Sequence, residues 1–443
     1  MLAQTTEQPS SKGKFHYAFI ICLAGFLTQF IVLGCQRLPA LSLELIRGTL
    51  NISYAEVGLI TSWFTVFYAG ASFIWGGLAD RIGAKKTLTL ASAFAAIGTI
   101  LFGLFAQYGL IIAIIVWCVA GFGCAGLFMA TLPKIVAKWF APEKRGFGMA
   151  LITPGGNVAS ILIGLFMATI IANTSWQQSF IYVGIFFAVI AVFIAICVKE
   201  SPEERGLAPY GAPVGTQAAP KPKVVEAESG AKAEDKPVQH SGQNKYIQVL
   251  KMGRTWHFAI MYIIWQLGYM VTVAYYTASI QYVGFSLAEA GLAMTWGGIA
   301  TIIFIQIWGN MSDHMERKYV LFIANALCAV LSLAYFISLQ GQPSLILCYF
   351  FVALITACTG ITTVILSIGG DLYPAEIRST GTGVVSTLTI IGRYLGPWIA
   401  GIAIDATAGN IGYAYLIVAI SMGIAAVIAI TLPKMRGTAA ANS

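Results

Sequence analysis

Two arginines stand inside long apolar stretches of the sequence, where a charged side chain needs a specific reason to be present. Arg37 and Arg393 are each surrounded by mainly apolar residues. A guanidinium group offers five N–H donors in a planar fork that suits carboxylate or phosphate oxygens, and it stays protonated when partly desolvated. Because an embedded charge is costly and usually marks function, the sequence predicts that Arg37 and Arg393 bind a small organic anion.

A purely structural role is the alternative for both arginines. Arg37 would then pair permanently with Glu44, seven positions further along the chain, or extend toward the membrane interface. Arg393 would be held by backbone carbonyl groups. Residues alone leave both alternatives open.

A run of aromatic and amide side chains at helical spacing opens the second half of the chain. Such side chains combine flat apolar contact with hydrogen-bonding groups, which suits the wall of a binding cavity. Packing between helices is the alternative interpretation. Two glutamines close to Arg37 in the sequence are added to this set as further candidates. The further predicted substrate-binding residues are Gln29, Gln36, Tyr262, Trp265, Gln266, Tyr269 and Tyr276.

Acidic residues are absent from the middle of every apolar stretch. If the protein transports the anion, Glu44 is therefore the candidate residue for coupling that transport to H+. The other possibilities are a proton carried with the substrate and the exchange of one anion for another. The eight cysteines lie in apolar stretches without CxxC spacing, so they predict neither a disulfide framework nor a metal site. No cofactor is expected.

The elements that must position these residues are long apolar blocks. Hydrophobic residues make up 58% of the 443 residues and charged residues only 10%, against roughly 25% charged in soluble domains. Each block supplies the ~20 helical residues that cross a bilayer. We therefore predict an all-α membrane protein with twelve transmembrane helices. The blocks are residues 17–46, 55–79, 86–106, 110–137, 145–172, 178–198, 254–281, 288–312, 318–339, 344–370, 379–406 and 412–432.

The distribution of cations predicts how the blocks are oriented. Of the 26 Lys and Arg residues, 23 fall in the tails, in even-numbered connections or at the block ends next to those connections. By the positive-inside rule, the protein spans the cytoplasmic (inner) membrane with both termini in the cytoplasm. The predicted organisation is a tail (1–16), six helices (17–198), a flexible cytoplasmic linker of low complexity (199–253), six further helices (254–432) and a second tail (433–443).

The two sets of six blocks repeat each other. Asp80 and Asp313 follow the second and the eighth block and are 233 residues apart. The same offset relates Glu143 to Glu376, Arg145 to Arg378, and Gly148 to Gly381. Internal repeats of this kind are a common construction of secondary transporters.

The connection after the second block resembles the signature of the major facilitator superfamily, GxLaDrxGrk. The matching residues are Gly76, Leu78, Asp80, Arg81, Gly83, Lys85 and Lys86, and a weaker second copy keeps Gly309, Asp313, Arg317 and Lys318. The resemblance covers the chain apart from its tails and linker. It implies two pseudo-symmetric six-helix bundles that rock about a central cavity.

Further stretches point to a branch of this family. Gln36 and Arg37 resemble the organic-anion branches, and LYPAEIRSTGTG (372–383) with GRYLGP (392–397) is similar to organic-acid symporters. The arginine that often precedes the GxGxG run of the fourth helix is replaced by Trp117, and residues 153–156 do not reproduce the antiporter motif. These departures argue against drug efflux.

The resemblance also implies a cytoplasmic gate, whose salt bridges latch the inner side when the cavity opens outward. Ordinary solvated loop charges are the alternative. The implied gate residues are Asp80, Arg81, Glu143, Arg145, Asp313, Arg317, Glu376 and Arg378.

Together these features predict a secondary active transporter of a small organic anion, a mono- or dicarboxylate, that works by alternating access as an H+ symporter or an anion exchanger. No ATP-binding GxxxxGK[ST] motif occurs, and no enzymatic activity is expected. The chain is expected to act as a monomer in the lipid bilayer and not to bind nucleic acid. One alternative is a transporter of neutral or cationic molecules with both arginines structural, and another is a membrane sensor.

Overall fold

The computed structural model describes residues 16–128, 131–212, 245–374 and 377–433, which are almost entirely helical. Within the described residues, the first half of the chain contains α1 (Ala18–Leu41), α2 (Leu43–Leu50), α3 (Tyr54–Ile82), α4 (Ala84–Phe105), α5 (Leu110–Ala125), α6 (Leu132–Trp139), α7 (Arg145–Ile152), α8 (Gly155–Leu162), α9 (Ala168–Asn173) and α10 (Trp176–Cys197). A π-helical segment, Ile163–Met167, joins α8 to α9. Short 3₁₀ turns lie at Ala106–Tyr108, Pro142–Lys144 and Pro202–Arg205.

The second half contains α11 (Lys245–Lys251), α12 (Gly253–Tyr282), α13 (Leu287–His314), α14 (Arg317–Leu339), α15 (Leu345–Thr359), α16 (Thr362–Leu372), α17 (Arg378–Leu388), α18 (Ile390–Ala406) and α19 (Gly412–Thr431). Most of both predicted tails, the middle of the predicted linker and the predicted gate residue Glu376 lie outside the described residues.

The described helices match the prediction of a membrane-spanning protein. Eleven described spans are long and apolar enough to cross a bilayer, and α5 is a further, shorter apolar helix. Their outer surfaces expose large apolar side chains such as Phe73, Ile111 and Ile346, which a water-soluble protein would bury. The predicted all-α membrane fold with twelve transmembrane helices is confirmed.

The internal repeat extends to the way two helices begin. Ser53 starts α3 with a capping box, in which its hydroxyl accepts from the Glu56 amide (3.2 Å) and its amide donates to the Glu56 carboxylate (2.8 Å). Ser286 and Glu289 form the same box at the start of α13, again 233 residues later. Each cap stabilises its helix by about 1 kcal/mol, so both repeats fix the same helix start by the same local device.

The first apolar block was predicted to be one helix, but the structure contains two helices there. α1 contains Pro39 and ends at Leu41, and Ser42 separates it from α2, which begins at Leu43. Proline lacks a backbone N–H and its ring crowds the preceding turn, which favours an early end of the helix. Glu44 therefore lies on a different helix from Arg37.

The predicted flexible linker is structured at both of its described ends. Residues after α10 fold back on the first half, where Tyr210 exchanges backbone hydrogen bonds with Trp139 (2.8 Å) and Ala141 (3.0 Å). The indole of Trp139 also donates to the Lys199 carbonyl (3.1 Å). At the other end, α11 packs against α12 and α17. At the first of these ends, the Tyr210 ring also packs against Phe140 and Phe147, contacts that composition does not reveal.

The two halves meet on the side opposite the cation-rich connections, which we call the outer side. There α3 packs against α18, and α13 packs against α8 and the π-helical segment. The approach is close enough to require glycine, since a Cβ atom on Gly401 would lie 2.5 Å from the Tyr54 carbonyl oxygen and one on Gly291 would lie 2.4 Å from the Gly164 carbonyl oxygen. The outer side is closed in this structure.

Candidate functional site

A cavity of about 260 Å³ lies between the two halves, beneath the closed outer side. Its walls come from α1, α3, α8, α12, α13, α15, α16 and α18. Its volume suits a small organic molecule together with a few waters. Seven of the predicted substrate-binding residues line it: Gln29, Gln36, Arg37, Tyr262, Tyr269, Tyr276 and Arg393.

Arg37 enters the cavity from the first half. Its Nε donates to the hydroxyl of Ser160 (3.0 Å), and its guanidinium lies over the ring of Tyr276, 5.8 Å from the centroid. Glu44 is engaged elsewhere, with Arg47 (3.1 Å) and the Tyr54 hydroxyl (2.9 Å). A permanent Arg37–Glu44 pair, the structural alternative from the sequence, is therefore wrong for this structure.

Arg393 enters the same cavity from the second half. With the Gln266 amide oriented to satisfy both groups, its oxygen accepts from Arg393 Nη2 (2.8 Å) and Nε (3.2 Å). Gln266 is 1% exposed and does not line the cavity itself. A neutral amide thus orients the guanidinium without cancelling its charge.

The cavity therefore holds two positive charges without a negative counterpart. Among the described residues, no ion pair involves either Arg37 or Arg393, and none of the residues lining the cavity is Asp or Glu. Charges interact more strongly where protein has replaced water, so this arrangement favours an anionic occupant.

The aromatic run on α12 divides between the cavity and the core. The rings of Tyr262, Tyr269 and Tyr276 line the cavity. Trp265 does not: its ring stacks on Tyr269 at 5.2 Å, and its indole N–H is buried without a partner. Trp265 and Tyr269 lie one helical turn apart, yet only Tyr269 lines the cavity. Helical spacing alone therefore could not distinguish cavity residues from core residues.

Threonines form a wall that the sequence analysis missed. They come from α13, α15 and α16, all in the second half. Three of them follow helical spacing within one apolar block, which is a signal that could have found them. The threonines of this wall are Thr301, Thr356, Thr359, Thr362 and Thr363.

The outer end of the cavity is closed by contacts that cross between the halves. The Asp405 carboxylate accepts from the backbone N–H groups of Tyr54 and Ala55, both at 2.9 Å, in the first turn of α3. The Thr277 hydroxyl donates to the Ala40 carbonyl (2.5 Å). Glu44 bonds to Tyr54 within this outer network and does not line the cavity, so the structure separates the coupling candidate from the two arginines.

Comparison with known protein families identifies the family to which this two-half architecture belongs. The sequence model described as Major Facilitator Superfamily matches residues 23–278 and again residues 258–442. The chain belongs to the major facilitator superfamily. This is a superfamily of membrane transporters, which agrees with the prediction that the protein is not an enzyme.

Several curated proteins of known role are similar to this superfamily member. A hexuronate transporter of Bacillus subtilis is 29% identical over 195 residues, which are 44% of each chain, so the match spans less than half of that relative. The human glucose-6-phosphate exchanger SLC37A2 is 26% identical over 82% of this chain and 76% of its own. A phosphoglycerate transporter protein of Salmonella typhimurium is 23% identical over 88% and 82%.

Solved structures show the same fold. A D-xylose-proton symporter superposes with a TM-score of 0.76 at 16% identity, over 95% of this chain and 99% of its own. A bacterial homologue of the human lysosomal transporter Spinster, inward-facing and unoccupied, superposes with a TM-score of 0.70 at 15% identity, over 95% and 98%.

On the side opposite the closed outer side, the implied gate residues of the superfamily bond within their own halves. Asp80 pairs with Lys134 (2.6 Å), Arg145 donates to the Ala137 carbonyl (3.1 Å), and Arg317 pairs with Asp371. Among the described residues, no ion pair joins the halves on this side. Arg81, Glu143, Asp313 and Arg378 are exposed.

Glu200 occupies the start of α4, next to the signature loop. It accepts from Lys138 Nζ (2.5 Å) and from the backbone N–H groups of Lys85 (2.9 Å) and Ala84 (3.1 Å). Partial burial by itself raises the pKa of this carboxyl group, but the three donors outweigh it and hold the pKa of Glu200 below its ordinary value.

Proposed function

We propose that this protein is a secondary active transporter that moves a small organic anion, a mono- or dicarboxylate, across the cytoplasmic membrane by alternating access. The observation that carries the proposal is the pair Arg37 and Arg393, one from each half, in a shared cavity whose lining contains no carboxylate. The similar proteins named above carry hexuronate, glucose-6-phosphate and phosphoglycerate in their names, and all three compounds are organic anions.

The two arginines make the anion a bridge between the halves. An anion bound by Arg37 and Arg393 draws the two halves together and lowers the free energy of states in which both contacts form. The α3–α18 contact then opens on the outer side while the gate residues, with Asp80 and Arg145 in the first half, latch the inner side. Both halves of the cavity come from one chain, which supports action as a monomer. The cation-rich connections support an orientation with both termini in the cytoplasm.

Coupling follows either of two routes. An H+ symporter would carry the proton with the substrate or through Glu44 as the outer network opens. An anion exchanger would need a second anion, bound from the other side of the membrane, before the cavity could open again to the first side. The lining of the described cavity lacks a carboxylate, which supports exchange or a proton carried with the substrate.

The test is counterflow in proteoliposomes that contain the full chain, with a panel of mono- and dicarboxylates, with and without an imposed proton gradient. We expect carboxylate uptake that Arg393→Ala abolishes and Arg205→Ala preserves, because Arg205 lies over Tyr17 at the cytoplasmic surface, 4.6 Å from the ring centroid. Uptake driven by the gradient would mean symport, and uptake that requires internal anion would mean exchange. Uptake of neutral or cationic compounds alone would overturn the proposal.

A further inference from the structure

The threonine wall of the cavity has a distinct hydrogen-bonding character. Each of four hydroxyls donates its hydrogen to a backbone carbonyl of its own half. The bonds are Thr301 to Gly297 (2.8 Å), Thr356 to Val352 (2.7 Å), Thr359 to Thr356 (2.7 Å) and Thr362 to Thr359 (3.0 Å).

A hydroxyl group has one hydrogen and two lone pairs. Because the hydrogens of Thr301, Thr356, Thr359 and Thr362 are already committed, these side chains offer only lone pairs to a ligand. These four hydroxyls therefore form an acceptor surface that recognises groups that donate hydrogen bonds, whereas the fifth threonine of the wall, Thr363, has a hydroxyl without a partner that can also donate.

The arginines supply the opposite character. Arg37 and Arg393 carry N–H donors only, and the buried side-chain nitrogen of Gln29, which also lines the cavity, has no partner. Carboxylate oxygens suit these donors but cannot bond to acceptors. An unsubstituted alkyl carboxylate would thus leave the threonine lone pairs without a donor from the ligand, whereas a hydroxylated acid would bond to them directly.

A donor group on the ligand could be a hydroxyl or an ammonium. An ammonium group would lie in the same cavity as two guanidinium groups, without a carboxylate in the lining to balance the charge. A neutral hydroxyl avoids this repulsion and matches a lone pair on each threonine.

We propose that the substrate is a hydroxylated organic anion, whose anionic group binds at Arg37 and Arg393 and whose hydroxyl groups donate to Thr301, Thr356, Thr359 and Thr362. The rings of Tyr262 and Tyr269 would cover the C–H faces of such a molecule. This inference rests on the proposed function and narrows its substrate class.

The test compares matched pairs of acids, hexanoate with gluconate and succinate with tartrate, by isothermal titration of the purified full chain. We expect the hydroxylated acid of each pair to bind roughly tenfold more tightly or better, because sites built to bond a hydroxyl reject analogues that lack it. Thr356→Val and Thr359→Val should weaken gluconate binding and leave hexanoate binding unchanged.

Two further variants control for folding and for general effects. Thr356→Ser keeps the hydroxyl and should keep gluconate binding. Thr89→Val removes the same kind of bond, to the Lys85 carbonyl at 3.0 Å, at the cytoplasmic end of α4 and outside the cavity lining, so it should change neither affinity.

The outcomes separate the two proposals. Equal affinities within each pair, or valine variants that bind gluconate as the parent does, would overturn the hydroxyl inference and leave the proposed anion transport standing. Failure of every acid to bind, while a neutral or cationic compound binds, would overturn both.

Discussion

The two cavity arginines are held in different ways, and this difference has consequences for binding. Arg37 donates to the Ser160 hydroxyl and lies over the ring of Tyr276. Arg393 is fixed by two contacts to a single buried amide, that of Gln266. Ser160 is also the repeat equivalent of Arg393, 233 residues earlier, so one repeat position carries the charge in one half and receives a charged group in the other.

We predict that Gln266→Leu weakens anion binding about tenfold or more, because a hydrogen bond to a charged group contributes about 1.5–3 kcal/mol and its loss lets Arg393 move away from the cavity. Gln266→Glu should abolish binding, since a carboxylate beside Arg393 would neutralise the guanidinium. Titration of purified protein with a transported anion measures both effects. Normal affinity in both variants would show that Gln266 does not position Arg393.

Residue roles were predictable from the sequence where placing the side chain in the membrane has a free-energy cost that does not depend on its neighbours. An embedded arginine is expensive wherever it lies, so Arg37 and Arg393 could be identified without coordinates. The threonine wall left only a weaker signal, helical spacing within one block, because a threonine in an apolar helix ordinarily bonds to its own backbone and looks like packing. Glu44 was assigned to the helix of Arg37 because the interruption at Ser42 leaves no mark in hydropathy.

Packing between helices closes the outer side, and the Asp405 carboxylate lies where α3 and α18 meet. It accepts two N–H groups at the positive end of α3, although Asp405 belongs to α18 in the other half. Its repeat equivalent is Ala172, so this contact exists at one of the two pseudo-symmetric interfaces.

We predict that Asp405→Asn shifts the protein toward states open to the outside, by about twofold to thirtyfold, the range expected for an anion at a helix N-terminus. The measurement is the labelling rate, by a thiol reagent applied from outside, of a cysteine introduced at Gln36 in a background without native cysteines. Glu56→Gln is the matched control, because Glu56 caps the same helix without crossing between halves. Equal labelling of Asp405→Asn and the parent would contradict this role.

The Glu200 carboxylate ties the end of the first half to the start of α4. We predict that Glu200→Gln lowers the free energy of unfolding at about pH 7, on the order of 1 kcal/mol. Because the pKa of Glu200 is lowered in the folded state, its contribution is present above the unfolded pKa of roughly 4.3 and is lost as pH falls through the folded value. Thermal unfolding across this range should show the two proteins converging at low pH, and a constant difference would argue against an ionised Glu200.

The boundaries of the membrane helices were largely predictable, whereas their interruptions were not. Block lengths follow from bilayer thickness, which composition reflects directly. The π-helical segment at Ile163–Met167 and the interior Pro397 of α18 lie at equivalent repeat positions, yet only the proline is visible as a residue type. Both irregularities occur where a helix meets the opposite half, which sequence hydropathy does not encode.

At the scale of the whole molecule, two repeats enclose one cavity and hold it closed on one side. The repeat offset and the signature motif predicted the architecture. The state of closure was not predictable, because it depends on the sum of many contacts between halves, such as those of Asp405 and Thr277, rather than on any one motif.

The most direct test of the central claim is to titrate an anion taken up by the parent protein into four purified proteins: the parent, Arg37→Gln, Arg393→Gln and the double variant. If both guanidiniums hold one anion in this cavity, each single variant should bind at least about tenfold more weakly, and the double variant should not bind measurably. Parent-like affinity in the double variant would contradict the claim that Arg37 and Arg393 form the anion site.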